Sequence, residues 1–155
     1  MYVFDTNVFQ TLGNFNLKRF PTIWDRIDAL VLQKELISVK EVRNEIEFVC
    51  HFDHVIEWVK KNRHIFINPS AEECIVVAEI FKTEQSRGLV RRKNILKGSP
   101  VADPFIIASA KIRGGCVVTQ ESFKSDAARI PTICQDFKVK CIDLDGFFEE
   151  QQLKY

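Results

Sequence analysis

Four acidic residues occupy positions from which they could act together: Asp5, Glu45, Asp103 and Glu121. Asp5 directly follows the apolar run Tyr2-Val3-Phe4. Glu121 lies two residues beyond Thr119, which ends the β-branched run Cys116-Val117-Val118-Thr119. Glu45 borders the apolar stripe formed by Val39, Val42, Ile46 and Val49. At 100° per residue Glu41 sits further round that helix, and Glu47 falls on the opposite, wet face. Asp103 immediately precedes Pro104, at the head of a strongly apolar segment. Carboxylates that converge repel one another and are costly to desolvate, so they persist together when a cation neutralises them. Their hard oxygens suit Mg²⁺ or Mn²⁺, ions that activate water and stabilise an in-line attack on phosphate.

Each acid also has a plainer use. Asp103 before Pro104 suits a helix N-cap with proline at the first helical position. Asp5 could close a strand with an Asx turn. Glu45 could be an ordinary surface acid of its helix, and Glu121 could begin a solvated helix, where acids are favoured. Spacing alone leaves both readings open.

The elements that must position these acids follow from periodicity. Tyr2 to Phe4 predicts a buried first strand, and Val8, Phe9 and Leu12 a helical turn ending at Gly13-Asn14. Phe20 to Leu32 has helical spacing. Leu36-Ile37-Ser38 is a short second strand leading into the helix that carries Glu45. A further helix spans about His54 to Asn62. Ser70 and Glu73 form a capping box that starts a helix predicted to run to about Ser86. Pro104 to Ile112 predicts a buried helix broken by Gly114-Gly115, and Cys116 to Thr119 a strand. A short helix over Ile133 to Phe137, a strand over Val139 to Ile142 and a helix over Leu144 to Leu153 complete the chain. Strands alternating with helices argue for a three-layer α/β/α sandwich with a mainly parallel sheet. Ligands of such sheets bind outside the carboxyl ends of the strands, where Asp5 and Glu121 fall.

The length of 155 residues fits one domain, residues 1–155, and with a composition 46% hydrophobic and 28% charged disorder is not expected. A net charge of +1 gives no global attraction to nucleic acid, so any such contact needs a local patch. Arg87, Arg91, Arg92, Lys93 and Lys97 supply one, with no acid between Arg87 and Ala102. That run could hold phosphates, could bind an acidic partner segment, or could be a solvated loop. The five cysteines are irregularly spaced without a CxxC pair, which reads as reduced thiols of a cytoplasmic protein. Cys50, His51 and His54 lack a second ligand pair at zinc-finger spacing and read as ordinary helix residues. No secretory signal, membrane-spanning stretch or phosphate-binding glycine loop is visible.

Taken together, four stretches resemble the PIN-domain family in their order. They are the opening strand with Asp5-Thr6-Asn7, Ser38 to Ile46 with Glu45, Ala102 to Ala110 with Asp103, and Val117-Val118-Thr119-Gln120-Glu121. The third is the most specific, and the likeness spans nearly the whole chain. The resemblance implies that Asp5, Glu45 and Asp103 bind Mg²⁺ or Mn²⁺, with Asn7 and Thr119 as polar supports. It implies hydrolysis of RNA phosphodiester bonds, with no protein nucleophile. The family usually has Asp where this chain has Glu121, which puts the fourth ligand in doubt. Asp126 competes for that role, and Glu41 is the reserve for Glu45. Many PIN domains of this length are toxins of toxin–antitoxin pairs, which implies a small antitoxin partner and a homodimer. The alternative is a PIN-like module that binds RNA or a partner without cutting. An aspartyl-phosphate hydrolase would need a second acid two residues after Asp5, where this chain has Asn7. A receiver-like signalling module would need an acidic pair after the first strand, and none is present.

Overall fold

A computed structural model describes residues 1–83, 102–125, 127 and 129–153. The basic run Arg87, Arg91, Arg92, Lys93 and Lys97 lies outside the described residues, as does Asp126. Five strands form one sheet: β1 (Tyr2–Phe4), β2 (Leu36–Val39), β3 (Phe66–Ile67), β4 (Cys116–Val118) and β5 (Lys140–Ile142). Their order across the sheet is β3-β2-β1-β4-β5, and every pairing is parallel. The central strand β1 has Val3 and Phe4 fully buried, as expected for a strand covered on both sides.

Between β1 and β2 come α1 (Thr6–Leu12) and α2 (Pro21–Leu32). Between β2 and β3 come α3 (Lys40–Val49), α4 (Asp53–Lys61) and a 3₁₀ turn at Arg63–Ile65. The elements α5 (Ala71–Lys82) and α6 (Asp103–Arg113) lie between β3 and β4, α7 (Ile130–Asp136) between β4 and β5, and α8 (Leu144–Glu150) after β5. Right-handed crossovers place the helices of the first two connections on one face and α5, α6 and α7 on the other. The terminal helix α8 joins the first face, where Phe147 meets both Tyr2 and Phe4 edge-on at 5.0 Å between ring centres. Phe4 in turn meets Phe9 of α1, and Phe9 meets Trp58 of α4. This is the expected three-layer α/β/α sandwich.

Local chemistry accounts for several element ends. The Ser70–Glu73 capping box forms as anticipated, with both reciprocal hydrogen bonds present. Gly114 ends α6 in the left-handed region at φ 63°, where a side chain is disfavoured. Gly13 ends α1 in ordinary helical geometry, and a Cβ there would overlap the Phe52 ring. Two differences from the sequence reading have physical causes. The sequence does not predict β3, because its two residues carry no periodicity. The helix expected from Ile133 starts at Ile130, where Pro131 stands in the first turn and the Glu121 carboxylate, nine residues earlier, accepts the first amide.

Beyond capping, Glu73 links the two long helices of one layer. It is buried, and its Oε1 accepts from Arg113 Nε at 2.9 Å. Removing the guanidinium leaves a buried acid with one partner fewer. Arg113→Met is expected to destabilise the fold by about 1–3 kcal/mol. Urea unfolding should show a lower midpoint with an unchanged slope.

Candidate active site

The strand order reverses between β1 and β4, and side chains following these two strands meet there. The Asp5 amide donates to the Val118 carbonyl at 3.1 Å, extending the ladder by one step. The Thr119 hydroxyl donates to Asp5 Oδ2 at 2.8 Å, and the Thr6 amide donates to Oδ1 at 2.6 Å. Asp5 is therefore both the N-cap of α1 and a buried carboxylate at the switch point of the sheet. Both of its partners are neutral donors. Thr119 Oγ1 also accepts from Asn7 Nδ2 and from the Glu121 amide, each at 3.2 Å. Asn7 Oδ1 accepts from the Gln120 amide at 2.8 Å. The strand-end turn after β4 is thus laced to the first turn of α1.

Glu45 reaches this edge from α3 and is half-buried. Its Oε2 accepts from Thr6 Oγ1 at 2.6 Å, and its Oε1 from the Ala102 amide at 3.3 Å. The two donors are the immediate chain neighbours of Asp5 and Asp103, so one glutamate ties these two aspartates' backbones together. Asp103 is 1% exposed. It is not the N-cap of its helix: Ala102 takes that place in helical geometry, and Asp103 lies inside the first turn. The positive end of the helix dipole favours a carboxylate there.

Glu121 stands apart in one respect. Its Oε2 accepts from the Ile130 amide at 2.9 Å and so starts α7. Of the reserves, Glu41 is half-buried in the first turn of α3, with one buried oxygen that meets no donor. Two site residues had not been singled out from sequence. Thr6 holds Glu45, and Gln120 contributes its amide to Asn7 and its side-chain oxygen to the Leu144 amide at 3.2 Å. Their position inside the Asp5-Thr6-Asn7 and Thr119-Gln120-Glu121 stretches was the available signal. No zinc-like arrangement forms from the histidines: His51 is exposed, and His54 stacks edge-on against Trp24 and Phe52.

Burial raises the Asp5 carboxyl to about 8, helped by the negative charge of Asp103 and, less, of Glu121, while the Thr119 and Thr6 hydrogen bonds oppose the rise. The donor set is of hard oxygens, which fits Mg²⁺ or Mn²⁺. Among the described residues no three acidic, histidine or cysteine side chains are gathered round one point.

A raised carboxyl in the fold has a definite sign for stability. The unfolded Asp5 loses its proton near 4, the folded one near 8. The contribution of this group is complete below the lower value and is lost as pH climbs through the upper one. With divalent ions removed, the melting temperature is expected to fall between pH 5 and 8, and Asp5→Asn is expected to flatten that fall.

Curated proteins yield no match. Among solved structures, the chain is similar to one in the crystal structure of VapBC2 from Rickettsia felis bound to a DNA fragment from their promoter. That similarity has a TM-score of 0.46 and 14% identity, covering 93% of this chain and 98% of that one. Among the described residues no helix is long and apolar enough to cross a membrane. The family model described as a domain of unknown function, DUF4411, matches residues 2–155, and the chain belongs to that family.

Proposed function

We propose that this chain is a PIN-type endoribonuclease that depends on a divalent metal. The observation that carries the reading is the pair of buried aspartates, Asp5 and Asp103, at the switch point of the sheet, with Glu45 bonded to the chain neighbour of each. Burying like charges together is costly without a cation to share, and a sheet edge of this kind is where ligands enter. Asp5, Glu45 and Asp103 would hold the ion. A bound Mg²⁺ or Mn²⁺ supplies an acidified water and charge neutralisation at the phosphate.

The chain's own residues set the geometry. Thr119 orients one oxygen of Asp5 and Thr6 fixes Glu45. Asn7 clamps the turn that carries Gln120 and Glu121. Glu121, bound through one oxygen to the start of α7, would add a further negative charge beside the ion. From the motif resemblance we further infer a toxin that acts in the cytoplasm on RNA, forms a homodimer and is held in check by a small antitoxin.

One observation favours a second reading, in which the module binds RNA or a partner without cutting. One oxygen of the Glu121 carboxylate is already engaged by the Ile130 amide at the start of α7. Incubation of the purified chain with single-stranded RNA separates the two. The expected result is cleavage with Mg²⁺ or Mn²⁺ that EDTA abolishes. Asp5→Asn and Asp103→Asn should each slow it on the order of 10²–10³-fold. Thr6→Val should slow it less, on the order of 10–100-fold, because it loosens a ligand without removing one. Cleavage that persists in EDTA would falsify the mechanism, and tight binding without cleavage would favour the second reading.

A further inference from the structure

A cavity of about 200 Å³ opens between α3, α4 and the 3₁₀ turn that follows α4. Its apolar lining is Ile46, Ile56 and Val59, and its charged lining is Arg43, Lys60, Arg63 and a single acid, Glu47. Arg43 and Glu47 stand four residues apart on one flank of α3, whereas Glu45 points from the other, so the cavity is separate from the carboxylate site. Three cations against one acid leave a local surplus of positive charge. Among the described residues none of these cations is in an ion pair, even with Glu47. The Arg43 Nε is buried and meets no acceptor. A buried guanidinium donor without an acceptor is costly, and a guanidinium that no carboxylate neutralises leaves its charge available to an anion in the cavity.

We propose that this cavity is a phosphate-binding site. Two guanidinium groups and an ammonium match the several acceptor oxygens and double charge of a phosphate monoester better than they match one carboxylate. Ile46 and Val59, both buried, form the apolar floor beneath these charges. The phosphate could be a free anion or the terminal phosphate of an RNA chain, and the chemistry at Arg43 is the same for both. The site does not depend on the nuclease reading, because no carboxylate of the sheet edge takes part.

Calorimetric titration of the full-length chain in EDTA tests this, using inorganic phosphate first. The expected result is saturable binding at one site. It should weaken about tenfold or more in Arg43→Gln and in Arg63→Gln, tighten in Glu47→Gln and be unchanged in Asp5→Asn. A short oligoribonucleotide with a 5′-phosphate, compared with its 5′-hydroxyl counterpart, then distinguishes the sources. Tighter binding of the phosphorylated chain assigns the site to RNA ends, and equal binding of inorganic phosphate assigns it to the free anion. Lys60→Gln and Arg63→Gln alter exposed residues and carry the test if Arg43→Gln does not fold. Absence of saturable binding, or binding indifferent to Arg43 and Glu47, overturns the proposal. So does capture of a polyglutamate peptide by a protein that ignores phosphate.

Discussion

Much of this structure is arranged around one carboxylate in an uncomfortable place. Asp5 sits at the end of the central strand, almost completely removed from water, held by a hydroxyl and an amide and by no cation among the described residues. Hydrogen bonds from neutral donors soften the cost of burying a charge but do not cancel it. The same aspartate caps α1, so its place is set by the backbone as well as by the side chains around it. Thr119, Asn7 and Glu121 then follow as consequences, because each bonds to another member of that cluster.

Glu45 shows how a helix outside the sheet edge is brought to it. Thr6 and Ala102, the chain neighbours of the two aspartates, hold the glutamate of α3 at this edge. The helix N-terminus of α6 complements this arrangement by placing Asp103 where a negative charge is favoured. Three carboxylates from three connections thereby answer to one edge of the sheet.

Much of this was legible from residue order. Strand ends place Asp5 and Thr119, because a short apolar run that stops at a polar residue marks a carboxyl edge. The helical wheel separated Glu45 from the exposed Glu47, and the Ser70–Glu73 box announced its own helix. What was not legible depended on contacts distant in sequence. The role of Thr6 needs α3 to arrive beside α1. The early start of α7 needs Glu121 from nine residues away. The cationic cavity needs α3 and α4 to lie side by side, since its residues form no run in the chain.

The strand order also governs when the carboxylate site can exist. Thr119 lies 114 residues after the aspartate it holds. At roughly 5–20 residues per second of synthesis, the first half of the site waits on the order of 6–20 s for the second. Throughout that interval β1 lacks one of its two neighbours, and Asp5 lacks its hydroxyl partner. Whatever this edge of the sheet does, a growing chain on the ribosome cannot do it until β4 has emerged and zipped in beside β1.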